Sequence, residues 1–121
     1  MEYGLIGEKL SHSFSKEIHN NIADYSYELK VISPENLKGF MLLKDFKAIN
    51  VTIPYKEAVI PYLDEISKSA KEIGAVNTVI NKDGKLFGFN TDFLGLRELI
   101  TYNKITLKEK KVLILGSGGS S

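Results

Sequence analysis

The feature that most constrains the fold is the alternation of short apolar segments with amphipathic ones. Segments rich in aliphatic and β-branched residues, typical of strands, begin at Tyr3, Ser26, Ala48, Ala75 and Lys85. Between most of them, apolar residues recur three or four positions apart, which is typical of helices. Strands that alternate with helices favour a largely parallel sheet covered by helices. We therefore predict an α/β fold, a three-layer αβα open sheet that is mostly parallel with one antiparallel hairpin strand.

The antiparallel hairpin is predicted from the Asp83-Gly84 pair, which separates the expected strands 75–81 and 85–90. Two residues of this type fit the tight turns that join antiparallel strands. Helix boundaries follow from capping residues and from proline and glycine. Of the first three expected helices, one covers residues 16–25, one begins at Ser33-Pro34, and one covers residues 57–63. Asp64 is expected to cap a fourth helix, which Gly74 ends. Thr91 or Asp92 is expected to cap a fifth, with Phe93, Leu96 and Ile100 facing inward.

Composition excludes several classes of protein. Sixteen Lys and Arg against fifteen Asp and Glu give a net charge of +1 over 121 residues, which argues against a strongly basic nucleic-acid binder. The absence of cysteine excludes disulfides, thiolate metal sites and thiol nucleophiles. The chain has no signal-peptide pattern, and no apolar stretch approaches the ~20 residues that span a bilayer. We expect a cytoplasmic protein without nucleic-acid or membrane partners.

Small polar and charged residues follow several predicted strands. They lie in the serine loop 11–15, in the segment from Asn50 to Lys56, at Asn77 and Asn81, and in Asn90-Thr91-Asp92. In open α/β sheets the ligand crevice lies beyond the carboxyl ends of the strands. Hydroxyl groups at a helix start can hold a carboxylate, and a lysine beside a carboxylate can move a proton. Together these residues predict a site for a small, oxygen-rich anion.

Each of these residues also has an ordinary structural interpretation. Ser13 or Ser15 fits a helix N-cap, Lys56 a solvated lysine after a turn, and Asp92 a favourable charge in the first turn of a helix. No metal ion is needed, because the two histidines, seven positions apart, match no zinc-ligand spacing. We expect one histidine to cap a helix and the other to lie on the surface. The prediction of a site therefore depends on the residues converging.

Six motifs occur in order along the chain. They are Gly7 with His12-Ser13-Phe14-Ser15; Ile18-His19-Asn20; Asn50-Val51-Thr52-Ile53-Pro54-Tyr55-Lys56; Gly74-Ala75-Val76-Asn77-Thr78; Gly88-Phe89-Asn90-Thr91-Asp92 with Gly95; and Gly116-Ser117-Gly118-Gly119. Together they resemble the N-terminal, substrate-binding domain of the shikimate dehydrogenase family. That family reduces 3-dehydroshikimate to shikimate with NADPH in the chorismate route to aromatic amino acids. Lys9 and Lys16 depart from the family, which usually has proline there.

The resemblance implies a role for each matching residue. Lys56 resembles the catalytic lysine of the family and Asp92 its acidic partner, whereas Ser13 and Ser15 resemble the serines that hold the substrate carboxylate. Asn50 is expected to line the pocket less directly. The substrate-binding residues that the resemblance implies are Ser13, Ser15, Thr52, Lys56, Asn77 and Asp92.

The end of the chain resembles the start of an NADP-binding domain. We expect residues 1–103 to form the substrate domain and residues 104–121 a linker, a first strand and a glycine loop. Gly116, Gly118 and Gly119 match the opening of a phosphate loop, but a dinucleotide site needs a βαβ unit of about 30 residues. We therefore expect this chain alone to be inactive. We also expect the apolar strand 111–115 to be disordered, folded back or paired with another copy.

Three alternatives remain open from the sequence. The first is a relative that prefers quinate, or that uses NAD as well as NADP. The second is a non-catalytic module that senses shikimate, and the third is a flavodoxin-like interaction domain without a site. The sequence does not distinguish a homodimer from other assemblies.

Overall fold

The computed structural model describes residues 1–118. Its strands are β1 (Tyr3–Gly7), β2 (Tyr27–Val31), β3 (Ala48–Val51), β4 (Glu65–Ile66), β5 (Thr78–Lys82) and β6 (Lys85–Phe89). Its helices are α1 (Ser15–Ile22), α2 (Pro34–Leu43), α3 (Tyr55–Ala58), α4 (Lys68–Ile73) and α5 (Asp92–Tyr102), with a 3-10 turn at Ile60–Tyr62. No helix among the described residues is long and apolar enough to cross a membrane.

The strands form one six-stranded sheet in the order β2-β1-β3-β5-β6-β4. Strand β1 pairs in parallel with β2 and β3, and β4 pairs in parallel with β6. Strand β5 runs antiparallel to both of its neighbours, β3 and β6. The predicted α/β class, mostly parallel with one antiparallel hairpin strand, is confirmed, and helices flank the sheet.

The hairpin between β5 and β6 has the predicted turn. Asp83 and Gly84 adopt positive φ angles of 53° and 83°, and Lys82 pairs with Lys85 across them. Two successive positive φ angles give the turn a twist that matches that of the strands, and glycine adopts such angles without a steric cost. This turn reverses the chain, so that the start of β5 and the end of β6 lie at the same edge of the sheet.

The two faces of the sheet carry different residues. Because paired residues lie on the same face, Leu5 shares a face with its partners Leu29 and Asn50, and Asn50 shares it with Thr78. The opposite face holds the main core. That core contains Ile6, Ile49, Val51, Val79 and Leu86 from the strands, with Leu37 and Met41 from α2. The polar Asn50–Thr78 pair therefore lies on the face away from the main core.

The prediction that Asp64 caps the fourth helix is wrong. Residues Glu65–Ile66 pair with β6, so the helix begins later, and Ser67 caps it by accepting a hydrogen bond from the N–H of Ala70 at 3.3 Å. Asp64 instead accepts a bond from the N–H of Leu86 at 2.8 Å. This bond, with help from Lys44, holds the pKa of Asp64 below its usual value. Gly74 ends the helix as predicted, with a φ of 77°.

The expected inner face of the last helix is also not buried. Phe93 and Leu96 on α5 are 49% and 58% exposed. Within the described part of the chain, residues 111–115 form no strand, and their side chains are exposed. An apolar pattern marks a surface that needs a partner, and no described element covers these two segments. The apolar side of α1, with Ile18 and Ile22, is likewise exposed.

Candidate functional site

A pocket of about 800 Å³ opens at one edge of the sheet. It lies beyond the carboxyl ends of β1 and β3, where open α/β sheets hold their ligands. Its volume lies within the usual range for small-molecule sites. All six residues predicted to bind substrate line it: Ser13, Ser15, Thr52, Lys56, Asn77 and Asp92. The structure therefore brings together residues that the chain separates by up to 79 positions.

The serine loop forms one wall of the pocket. It leaves β1 at Gly7, and the N–H of Ser13 donates to the carbonyl of Leu10 at 3.2 Å. The hydroxyl of Ser13 accepts from the N–H of Ser15 at 3.3 Å, and α1 begins at Ser15 without a side-chain cap. Phe14 occupies the N-cap position, and Ser13, one residue before it, satisfies a free N–H at the helix start, whereas Ser15 is the first helical residue and does not cap. Two hydroxyl groups beside a helix start can donate to an anionic oxygen.

The segment after β3 positions Thr52 and Lys56. The N–H of Thr52 donates to the carbonyl of Ile6 at 3.0 Å, and the carbonyl of Thr52 accepts from the N–H of Tyr55 at 2.9 Å. Tyr55 is buried, and its hydroxyl donates to the carbonyl of Ile32 at 2.6 Å. Burial, with the nearby charges of Glu8 and Glu35, raises the pKa of Tyr55. This neutral anchor holds the turn from which Lys56 reaches the pocket.

Lys56 and Asp92 form an ion pair inside the pocket. The Nζ atom of Lys56 donates to Oδ2 of Asp92 at 2.6 Å, and the side chain of Lys56 is only 14% exposed. Partial shielding from water makes such a pair stronger than one on an open surface. An ammonium group held beside a carboxylate can donate and recover a proton, which is the chemistry of general acid–base catalysis.

Asn77 is buried and has a fixed orientation. Its Nδ2 donates to Oδ1 of Asp92 at 2.9 Å and to the hydroxyl of Thr91 at 2.8 Å. Its Oδ1 accepts from the N–H of Thr91 at 2.9 Å and from the hydroxyl of Thr78 at 3.1 Å. Donors therefore surround the carbonyl side and acceptors the amine side, so the carboxamide has one favourable orientation. Both oxygens of Asp92 thus receive a hydrogen bond, one from Asn77 and one from Lys56.

Asn90 is a residue whose role the sequence analysis did not assign. Its side chain is buried, its Nδ2 donates to the carbonyl of Ala75 at 3.0 Å, and its Oδ1 accepts from the N–H of Phe93 at 3.2 Å. Asn90, rather than the side chain of Thr91 or Asp92, therefore satisfies a free N–H at the start of α5. The Asn-Thr-Asp sequence contained the signal, because asparagine is a preferred capping residue.

The glycines near the end of the chain lie outside the pocket. Gly116 has a φ of 116°, and both Gly116 and Gly118 belong to an exposed segment without regular structure. Gly119 falls outside the described residues. The described glycines form no cradle for a phosphate group, so the predicted cofactor-binding role remains a prediction.

One histidine lies on the surface as expected, and the other does not cap a helix. His12 is exposed on the serine loop and lines the pocket. His19 is half-buried, and its ring stacks on that of Tyr27 with centroids 3.8 Å apart and an interplanar angle of 8°. Its Nδ1 lies 2.6 Å from the hydroxyl of Tyr25. The expected capping role for one histidine is therefore wrong, because His19 packs against the sheet through its ring.

Comparison with protein families matches residues 5–79 to the shikimate dehydrogenase substrate binding domain. The chain belongs to this family. Relatives named shikimate dehydrogenase (NADP(+)) include those of Clostridium beijerinckii, 46% identical over 98% of this chain, and Aquifex aeolicus, 44% identical over 98%. This chain covers 47% of each of those two proteins, so it spans about half the length of the curated relatives it matches.

Solved shikimate dehydrogenases share the fold. A crystal structure from Peptoclostridium difficile matches 99% of this chain with a TM-score of 0.91 and 42% identity, and the chain covers 48% of it. A Thermus thermophilus shikimate dehydrogenase, solved in complex with shikimate, matches 99% of this chain with a TM-score of 0.89 and 37% identity, and the chain covers 49% of it. The observed sheet order is therefore that of a shikimate dehydrogenase substrate-binding domain.

Proposed function

We propose that this chain is the substrate-binding part of an NADP-dependent shikimate dehydrogenase that reduces 3-dehydroshikimate to shikimate in the route to aromatic amino acids. The observation that carries the proposal is the Lys56–Asp92 ion pair, fixed by Asn77, in the same pocket as two serine hydroxyls. In this assignment residues 1–103 form the substrate domain, and residues 104–121 begin the cofactor domain.

The pocket offers a separate group for each part of shikimate. The hydroxyls of Ser13 and Ser15 donate to the carboxylate at one wall. Asn77, Asp92 and Lys56 face the ring hydroxyls at the other wall, where carboxamide, carboxylate and ammonium groups provide both donors and acceptors. Thr52, on the segment after β3, lines the same pocket and contributes a further hydroxyl. This arrangement orients the ring with its reacting carbon beside Lys56.

The proposed chemistry at Lys56 is a proton transfer. When the ring carbonyl is reduced, its oxygen gains a proton, and Nζ of Lys56 supplies it. In the reverse direction the same nitrogen accepts the proton of the ring hydroxyl. Asp92 keeps Nζ oriented and compensates its charge at a distance of 2.6 Å. A well-placed acid–base group of this kind contributes about 10²–10⁴-fold to a rate.

NADP enters the proposal through the relatives, which are named as NADP(+)-dependent enzymes. A dinucleotide phosphate is usually held at the start of a helix that follows a glycine loop. Gly116 and Gly118 form no such cradle among the described residues. We therefore assign no step of the mechanism to these glycines.

The test is a titration of the 121-residue chain with shikimate, followed by two-dimensional amide NMR. We expect shifts concentrated at Ser13, Lys56, Asn77 and Asp92, with a parallel quinate titration showing which ligand binds better. Asp92→Asn keeps the shape of the side chain and should weaken binding. Asp64→Asn is the matched control, because Asp64 also pairs with a lysine, at 3.5 Å, but lies outside the pocket. The proposal would be contradicted if millimolar shikimate caused no shifts. It would also be contradicted if the shifts were the same in Asp92→Asn as in the unchanged chain.

A further inference from the structure

A chain of four hydrogen bonds runs from Tyr27 to Asp92, and every bond in it points the same way. The Tyr27 hydroxyl donates to Oδ1 of Asn50 at 2.7 Å, and Nδ2 of Asn50 donates to the Thr78 hydroxyl at 3.1 Å. That hydroxyl donates to Oδ1 of Asn77 at 3.1 Å, and Nδ2 of Asn77 donates to Oδ1 of Asp92 at 2.9 Å. The chain begins at a phenol and ends at a carboxylate, which accepts hydrogen bonds only.

The direction of this chain follows from the sheet. Asn50 and Thr78 are paired across β3 and β5, so their side chains lie on the same face. Tyr27 lies on that face too, because its partner Tyr3 is two residues from Leu5, the partner of Asn50. Its side chain must therefore cross β1 to reach Asn50 on β3. Asn50 itself lines the pocket, but Tyr27 does not.

The ring of Tyr27 is held rigidly. Tyr27 is 3% exposed and packs with Leu5 and Leu10 in a small apolar cluster. The imidazole of His19, on α1, stacks on it at 3.8 Å. Tyr27 therefore contacts α1, the helix that follows the serine loop, through the ring of His19. Its hydroxyl contacts Asn50, the first carboxamide of the hydrogen-bond chain. Tyr27 is thus a physical link between the two walls of the pocket.

We propose that Tyr27 is a positioning residue of this site, which acts through Asn50 and Thr78 to fix the carboxamide of Asn77 beside Asp92. The inference deepens the proposed function and rests on it for the identity of the ligand. Without the tyrosine hydroxyl, Oδ1 of Asn50 loses its donor, and rotation of the side chain is opposed only by the bonds of Nδ2 to the Thr78 hydroxyl at 3.1 Å and to the carbonyl of Asn77 at 3.4 Å. A rotated Asn50 would accept from the Thr78 hydroxyl, which would then no longer donate to Asn77. Hydrogen bonds in such a series reinforce one another, so the effect reaches Asp92.

The test compares Tyr27→Phe with Tyr25→Phe in the 121-residue chain. Tyr27→Phe keeps the ring that stacks on His19 and removes only the hydroxyl. Tyr25→Phe removes a hydroxyl of the same aromatic cluster that lies outside the hydrogen-bond chain. We expect Tyr27→Phe to raise the Kd for shikimate about threefold to tenfold, the effect of losing one modest hydrogen bond. Tyr25→Phe should leave the Kd unchanged.

A second readout needs no ligand. The side-chain amide signal of Asn77 should move and exchange faster with water in Tyr27→Phe. The side-chain amide of Asn81 is the internal reference, because it donates to the carbonyls of Lys44 and Phe46 at 2.8 and 3.0 Å, away from the pocket. A general loss of stability would affect both amides, whereas a positioning role affects Asn77 alone.

A second pair of variants tests the middle of the chain and decides the question if Tyr27→Phe does not fold. Thr78→Val should reproduce the loss of affinity and the change at Asn77, and Thr78→Ser, which restores a hydroxyl, should rescue both. The inference is overturned if shikimate binds and the variants that lack a hydroxyl change neither its Kd nor the Asn77 amide. If the unchanged chain binds no shikimate while the Asn77 amide still responds, the proposed substrate is wrong and the positioning of Asn77 stands.

Discussion

The ammonium nitrogen of Lys56 lies 2.6 Å from a carboxylate oxygen of Asp92, although the two residues are 36 positions apart. Lys56 belongs to the short helix after β3, and Asp92 is the first residue of the helix after β6. The antiparallel strand β5, between β3 and β6 in the sheet, makes this meeting possible because it directs the end of β6 back toward the end of β3.

Replacing Lys56 with Ala should abolish most of the turnover while leaving much of the binding. The assay joins this chain to the second half of the Clostridium beijerinckii relative and follows 3-dehydroshikimate reduction. We expect kcat to fall about 10²–10⁴-fold, because the role proposed for Lys56 is to supply the proton, with a smaller change in KM. Lys44→Ala, which removes a lysine paired with Asp64, is the control. A chimera that keeps its kcat without Lys56 would rule out the catalytic role.

Replacing Ser13 or Ser15 with Ala should weaken shikimate binding by about 13-fold to 160-fold. The reason is the loss of a hydrogen bond to a charged carboxylate, which is worth about 1.5–3 kcal/mol at most sites. Isothermal titration calorimetry measures the change, and Ser26→Ala, at an exposed serine, is the control. The methyl ester of shikimate lacks the anion, so it should bind weakly to the unchanged chain and lose little more in the serine variants. Equal losses for acid and ester would show that the serines contact another part of the ligand.

Replacing Gly7 with Ala should damage both stability and binding. A Cβ atom there would lie 2.7 Å from Cγ2 of Thr52, 2.8 Å from Cδ2 of Leu10 and 3.2 Å from the carbonyl oxygen of Ile53. We expect a loss of about 1–3 kcal/mol in the free energy of unfolding, together with weaker shikimate binding, because Thr52 must move. The control is Gly39→Ala, in a helix with no atom within 4 Å, which should stabilise by about 0.5–1 kcal/mol. Urea denaturation that ranks the two variants in the opposite order would refute this packing.

Tyr27 should make the fold sensitive to alkaline pH. Burial, with a contribution from Tyr25, raises the pKa of Tyr27 to about 12 from an ordinary value of 10.0. Because the folded state holds the proton more tightly, the stabilisation is complete below pH 10 and is lost as the pH rises toward 12. Between pH 9.5 and 11 the wild-type chain should lose about 1 kcal/mol more unfolding free energy than Tyr27→Phe does. Urea titrations at both pH values measure this, and parallel losses in the two proteins would contradict the assignment.

The sequence predicted the features that depend on neighbouring residues. Asp83-Gly84 specifies its turn, and Gly74 ends its helix, because positive φ angles favour particular residue types. The apolar pattern placed most strands within one or two residues, although Thr78 rather than Ala75 begins β5. Asp64 misled the prediction because a two-residue strand, Glu65–Ile66, is too short to give a periodic pattern.

The residues that line the candidate site were predicted, but the hydrogen bonds that join them were not. The resemblance predicted six substrate-binding residues, and all six line the pocket. They lie close together because the sheet order brings their segments to one edge. Thr78 and Asn90 were not assigned roles, since a hydrogen bond across strands depends on register, which a single sequence does not give. The role of Tyr27 has no signal in the sequence, because a tyrosine in an alternating strand fits a core position whether or not its hydroxyl has a hydrogen-bond partner. The spacing of Phe93 and Leu96 predicted the helix correctly, but the predicted burial of this side of the helix is wrong, because both side chains are exposed.

The pocket residues come from four separate segments, each attached to a different part of the sheet. A ligand that contacts Ser13, Lys56, Asn77 and Asp92 together therefore binds only when β1, β3, β5 and β6 are all in place. The free energy of ligand binding therefore stabilises the folded sheet as a whole rather than a single loop. At a ligand concentration of 100 times Kd, this linkage is worth about 2.7 kcal/mol against global unfolding. A ligand bound in this way would stabilise the whole domain against unfolding, and the folded fraction would rise with the ligand concentration.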